Sequence, residues 1–206
     1  NKFTWRRNIE ENSKEILRLL FDTAVDTADP MKVIPPILPE KPSGRVVVIG
    51  AGKASARMAE AVESVWGACD GLIITRYGYS RELLGIRVVE AAHPIPDIEG
   101  FKATKEIISI IHGLGKDDFV LSLISGGGSS LLCAPIDGVS LNDKQAVNQV
   151  LLSSGAPIGS MNIVRKHLSK IKGGQLAAYC YPAKTLNLSI SDVPGDSLSD
   201  IASGVT

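Results

Sequence analysis

Three apolar runs, each ending in a turn suited to ligands, constrain this chain more than any other feature. Val46-Val-Val-Ile49 runs into Gly50-Ala-Gly-Lys-Ala-Ser55, Phe119-Val-Leu-Ser-Leu-Ile124 into Ser125-Gly-Gly-Gly-Ser-Ser130, and Leu186-Asn-Leu-Ser-Ile190 into Ser191-Asp-Val-Pro-Gly-Asp196. Phe119–Ile124, with almost no polar residue, suits a central strand covered on both faces. The stretches between the three runs carry helical spacing. Strands alternating with helices give βαβ units. The expected fold is therefore α/β, an open, mostly parallel sheet with helices on both faces. In such sheets ligands bind beyond the carboxyl ends of the strands, which is where all three turns fall.

Residues 8–28 read as an amphipathic helix, with Ile9, Ile16, Leu17, Leu20, Ala24 and Val25 at helical spacing. Pro30, Pro35, Pro36, Pro39 and Pro42 then forbid regular structure, leaving a packed, extended connector over 30–42 rather than a domain linker. The pattern predicts strands over 45–49, 71–75, 86–90, 119–124 and 184–191. Helices are expected over 54–66, 99–111, 141–153 and 161–172. The 54–66 helix would bury Met58, Ala61, Val62 and Val65. The last helix would bury Ile163, Val164, Leu168 and Ile171 and turn a basic face outward. Residues 91–97, Ala-Ala-His-Pro-Ile-Pro-Asp, form a rigid loop.

Composition narrows the function. Lys plus Arg and Asp plus Glu are both 22, so no basic face spreads over the chain and a nucleic-acid partner is not expected. No apolar run reaches the roughly 18 residues of a membrane span, so no membrane partner is expected either. Cys69, Cys133 and Cys180 are odd in number and far apart, which suits buried thiols of a reducing compartment. The expected location is the cytoplasm.

The first turn approaches two phosphate motifs and completes neither. A Walker loop would need Gly at 47 and Ser or Thr at 54, where Val47 and Ala54 stand. A dinucleotide fingerprint would need Gly at 55, where Ser55 stands. What remains is close backbone approach at Gly50 and Gly52, amide donors, and Lys53 as a mobile charge. The plainer account is an ordinary strand–helix turn with a solvated lysine. The second turn offers Gly126, Gly127 and Gly128 as a backbone nest, flanked by the hydroxyls of Ser125, Ser129 and Ser130. Its plainer account is a flexible loop. In the third, Asp192 stands directly after a strand, able to hold Mg2+ or accept a proton, or simply to satisfy its own turn. Arg165 and Lys172, on the basic helix, either face solvent or turn inward to a carboxylate or phosphate. His93, before Pro94, is either catalytic or a backbone-positioning residue.

Five motifs occur together and in order: GAGKAS at 50–55, AAHPIPD at 91–97, SGGGSSLL at 125–132, NIVRKHLSKIKGGQLA at 162–177 and SDVPGDSLSDIASG at 191–204. In this the chain resembles the class II glycerate kinases, or glycerate 2-kinases, whose members are often labelled hydroxypyruvate reductase. The resemblance implies ATP- and Mg2+-dependent phosphorylation of D-glycerate to 2-phosphoglycerate. It implies a Rossmann-like N-terminal domain over 1–206, facing a smaller C-terminal domain that this chain lacks. It carries the family's lysine function onto Lys53, the glycine loop onto Ser125–Ser130, and places Asp192 at the cleft as catalytic group or Mg2+ ligand. Val205 replaces a family proline and the chain stops one residue later, so a truncated piece, inactive alone, is the expectation. The alternatives are an NAD(P)H-dependent hydroxypyruvate reductase and a non-enzymatic anion- or sugar-phosphate-binding module. Which glycine turn takes nucleotide and which takes glycerate, and whether the protein forms a homodimer, stay open at this level.

Overall fold

The computed structural model describes residues 2–206, with side-chain surroundings from residue 12 onward. The chain opens with α1, Lys2–Thr27, and a single turn α2, Pro30–Val33. Then come β1, Val46–Ala51; α3, Ser55–Trp66; β2, Asp70–Arg76; β3, Arg87–Ala91; α4, Ile98–His112; and β4, Phe119–Ser125. The second half holds α5, Gly128–Leu131; α6, Leu141–Ser153; α7, Ile158–His167; α8, Gln175–Cys180; β5, Lys184–Ile190; and a 3-10 turn at Ile201–Ser203.

The strands form one sheet of order β3-β2-β1-β4-β5, parallel at every pairing. Strict alternation along β1 divides its side chains between two cores. Val47, Ile49 and Ala51 face a cluster with Ile107 and Ile111 of α4, Leu131 and Leu176. Val46 and Val48 face the other cluster, with Met58 and Val62 of α3 and Ile34 beyond α2. Burying one such side chain contributes about 1.5–3 kcal/mol, more than an exposed ion pair. The sheet faces therefore hold the domain together. Cys69, Cys133 and Cys180 are buried free thiols, and burial pushes each thiol pKa up.

Several expectations are corrected. The N-terminal helix starts earlier than residue 8, and its apolar stripe does not pack. Ile16, Leu17, Leu20 and Val25 are all exposed; the side chain of Ile9 lies outside the described residues. The proline connector is packed, as expected, but Pro30 begins a helical turn instead of breaking one. Proline fits the first helical position, and the Asp29 side chain caps the turn at the Met31 amide. Trp66 Nε1 donates to the Pro39 carbonyl at 2.9 Å and Lys41 to the Trp66 and Ala68 carbonyls, fastening the rest. On α3, Val65 is exposed.

The expected 161–172 helix is the largest difference. It ends at His167, and the chain breaks into tertiary bonds before α8. Lys170 N donates to the Ala134 carbonyl and Ser169 bridges to Pro135, replacing the helical ladder. Ile163 and Val164 are exposed while Ile171 is fully buried, so no single stripe exists.

Candidate active site

From β1 the sheet grows one way through β2 and β3 and the other way through β4 and β5. The crevice where this order reverses lies at the carboxyl ends of β1 and β4. The turn after β1 brings Lys53 there, the turn after β4 brings Gly126–Ser130, and the turn after β5 brings Asp192. The three turns converge: Lys53 Nζ donates to Asp192 Oδ2 at 3.1 Å, both side chains being about half exposed.

The triple glycine has a steric reason at each position. A Cβ on Gly126 would sit 2.0 Å from Asp192 Oδ2, so only glycine lets that carboxylate settle on the loop. Gly127 lies in the left-handed region, φ +88°, and a Cβ there would meet the His93 ring at 2.9 Å. A Cβ on Gly128 would press on the Ala51 carbonyl at 2.9 Å. The glycines thus admit protein neighbours, a role the sequence alone did not suggest.

The two glycine turns differ in what their amides do. In the first, Gly52 N donates to Ile74 O, Lys53 N to Gly126 O, Ala54 N to Ser125 Oγ and Ser55 N to Gly52 O. Gly50 and Gly52 approach the backbone of β4 so closely that a Cβ would lie 2.1 Å from Leu123 O and 2.0 Å from Ser125 Oγ. This turn is packing, and its contribution to the crevice is the Lys53 side chain. Ser125 is also structural: its hydroxyl is buried between the Ala54 amide and Ser55 Oγ. In the second turn, the amides of Gly126, Gly127, Gly128 and Ser129 find no acceptor among the described residues. Free amides beside an ammonium form a concave site for an oxyanion.

Behind Ser129 the crevice deepens into a cleft of about 630 Å³, bordered by His93, Gly127, Ser129, Arg165, Lys172 and Asp192 among others. The expected basic face is therefore partly turned inward. Lys172 is buried, and donates to the Ser129 carbonyl at 2.6 Å and its hydroxyl at 3.0 Å. Ser129 Oγ lies 2.7 Å from Ser203 Oγ. Ser203 itself is held at φ +62° next to Ala202 at φ +50°, a conformation unfavourable for residues with a Cβ. Arg165 donates through Nε and Nη2 to Asn148 Oδ1 at 3.1 and 2.8 Å. Burial holds the Lys172 ammonium well below the usual lysine range, with Lys144 adding to the effect. Ser130 is turned back on Gly127 O. Lys144, Asn148, Asn162 and Ser203 were not singled out in the sequence. They are scattered single polar residues whose convergence depends on how α6, α7 and the final turn pack.

His93 sits over Gly127, and burial, then Lys53 and Arg76, lower its pKa. Among the described residues no three His, Cys, Asp or Glu side chains gather as a metal cage. Asp192 alone suits Mg2+ of the kind carried on phosphates and water, which takes only one or two protein carboxylates.

Fold and crevice together define a doubly wound α/β domain with a row of free amides and a lysine at its switch point. The chain belongs to the family described as domain of unknown function DUF4147, whose model matches residues 16–206. It is 40% identical to the D-glycerate 2-kinase of Thermotoga maritima over 94% of this chain and 47% of that protein. It is 52% identical to a putative hydroxypyruvate reductase of Agrobacterium vitis over 100% of this chain and 47% of that protein. The crystal structure of the Thermotoga maritima glycerate kinase superposes with a TM-score of 0.84 at 39% identity, covering 94% of this chain and 48% of that one. The chain thus spans about half the length of the curated relatives it matches. Among the described residues no helix is long and apolar enough to cross a membrane.

Proposed function

We propose that this domain supplies the larger half of the active site of an ATP- and Mg2+-dependent D-glycerate 2-kinase, which yields 2-phosphoglycerate. The observation that carries this reading is the row of free amides from Gly126 to Ser129 directly beside the Lys53–Asp192 pair. Phosphoryl transfer needs positioning and charge neutralisation more than covalent chemistry, and these groups supply both. The amides hold phosphate oxygens. Lys53 leaves Asp192 to neutralise charge building on the transferred group. The acceptor hydroxyl of glycerate attacks in line, its proton passing to the carboxylate of Asp192 or to solvent. Asp192 is also the residue that would hold Mg2+, which when bound neutralises phosphate charge. The names and identities of the relatives above support the same reaction.

The reductase label has a weaker physical basis here. A dinucleotide pyrophosphate needs free amides at the first glycine turn, and those of residues 52–55 are already bonded within the protein. The remaining wall of the crevice comes, in this reading, from a second domain equivalent to the rest of the relatives' length. A coupled assay decides: ADP release with D-glycerate, and NADH oxidation with hydroxypyruvate, on residues 1–206 and on a chain carrying both domains. The expected result is ADP release from the two-domain chain alone. NADH oxidation in place of ADP release overturns the kinase reading, and equal turnover by the short chain overturns the shared site.

A further inference from the structure

We propose that Lys144, Arg165 and Lys172 form a carboxylate-binding subsite on the inner side of Ser129, which receives the acid group of the acceptor substrate. Lys144 and Lys172 are 7% and 1% exposed, and Arg165 is half-buried. All three border the cleft. Among the described residues none of them has a carboxylate within ion-pair distance. Their partners are neutral. Lys144 Nζ donates to the Leu168 carbonyl at 3.2 Å, Lys172 to Ser129, and Arg165 to Asn148 and, at 3.5 Å, to Asn162 Oδ1. Each cation therefore keeps donors unused.

Three basic groups withdrawn from water without a counter-charge are costly. Burial lowers the proton affinity of all three, Arg165 adds to this at Lys144, and Lys144 and Arg165 add to it at Lys172. The acids of the cleft are engaged elsewhere: Asp192 with Lys53, and Asp200 with Asn162 Nδ2 at 3.4 Å. An organic anion would supply the missing charge. Val147, Leu151 and Leu168, each partly buried, also line this part. Walls of that kind strengthen charge–charge attraction and suit a bare carboxylate better than a hydrated metal–phosphate. Ser129 joins the two halves of the site, its amide facing the oxyanion nest and its carbonyl and hydroxyl held by Lys172. Asp192 borders the same cleft, so a small hydroxy acid anchored by its carboxylate behind Ser129 would share one cavity with the Asp192 side chain. For the identity of its ligand this subsite rests on the kinase reading.

The test is calorimetric titration of the two-domain protein with D-glycerate, with glyceramide, which lacks the acid, and with ATP–Mg2+, in wild type, Lys144→Met and Lys144→Arg. Wild type is expected to bind glycerate well above glyceramide. Losing one charge-assisted partner should weaken glycerate about 10- to 100-fold, leave glyceramide and ATP–Mg2+ unchanged, and be largely restored by Lys144→Arg. Arg165→Gln, at a less buried position, should show the same pattern and keeps the test open if Lys144→Met fails to fold. Unchanged glycerate affinity in both uncharged variants, equal losses for ATP–Mg2+, or no preference for glycerate over glyceramide overturns the subsite. Selective glycerate binding without ADP release would leave the subsite standing and remove the kinase reading. Normal turnover and KM for glycerate in both variants would do the reverse.

Discussion

The ammonium of Lys53 lies 3.1 Å from the carboxylate of Asp192, across 139 residues of sequence. Lys53 follows β1 and Asp192 follows β5, with β4 between these strands, so the contact closes over the end of β4 and its glycine loop. Gly126 makes the contact possible, since any side chain there would occupy the place of the Asp192 carboxylate.

Lys53→Ala in the two-domain protein should leave folding intact, because a half-exposed ion pair contributes about 0–1 kcal/mol. Turnover with D-glycerate should fall about 10²- to 10³-fold, the scale of removing one group aimed at developing charge. Steady-state kinetics with a parallel thermal melt check this. Near-normal kcat would take Lys53 out of the mechanism.

Gly127→Val should abolish nucleotide or glycerate binding while the sheet still forms. The position holds φ +88° and the added side chain would press on the His93 ring, so the loop must move and its amides with it. Calorimetry should show lost binding alongside native-like circular dichroism. Retained affinity would mean that the loop only connects β4 to α5.

Glu63 is 4% exposed, yet its carboxylate accepts from the amides of Cys69, Leu84, Gly85 and Ile86. It ties α3 to the segment entering β3. Glu63→Ala should destabilise the domain by about 2–4 kcal/mol, because several buried donors lose their acceptor together. Urea unfolding measures it, and a loss below about 1 kcal/mol would show that water replaces the carboxylate.

Arg57 donates to both oxygens of Asp29 at 3.0 Å, and this holds the Asp29 carboxyl below its ordinary value of 3.8. A lowered folded-state pKa gives stability that is fully present above the unfolded value and lost as pH falls through the folded one. Asp29→Asn keeps a good helix cap and should cost about 1 kcal/mol at pH 7. The difference from wild type should shrink below pH 3.8. Denaturation midpoints from pH 7 down to about 2 trace this convergence. A constant difference would assign the effect to packing.

The strands at 46–51 and 119–125 were legible because their apolar runs are short and nearly uninterrupted, and the last strand because Leu186, Leu188 and Ile190 alternate with Asn187 and Ser189. The turns at Gly50, Gly126 and Asp192 could be placed at the carboxyl ends of three strands for the same reason. The role of each turn could not. Whether an amide is free depends on a partner from a distant segment: Ser125 takes the Ala54 amide, and Gly126 O takes that of Lys53.

Local sequence therefore determined the sheet, its two covered faces and the crevice edge, since pleat and helical periodicity act over a few residues. Tertiary structure decided the rest. It ended α7 at His167, drew Lys172 inward against Ser129, and left the apolar stripe of α1 exposed. Periodicity shows only that a residue shares a face with its neighbours. Burying a lysine or freeing an amide is settled by the hydrogen-bond and charge balance of every segment packed against it.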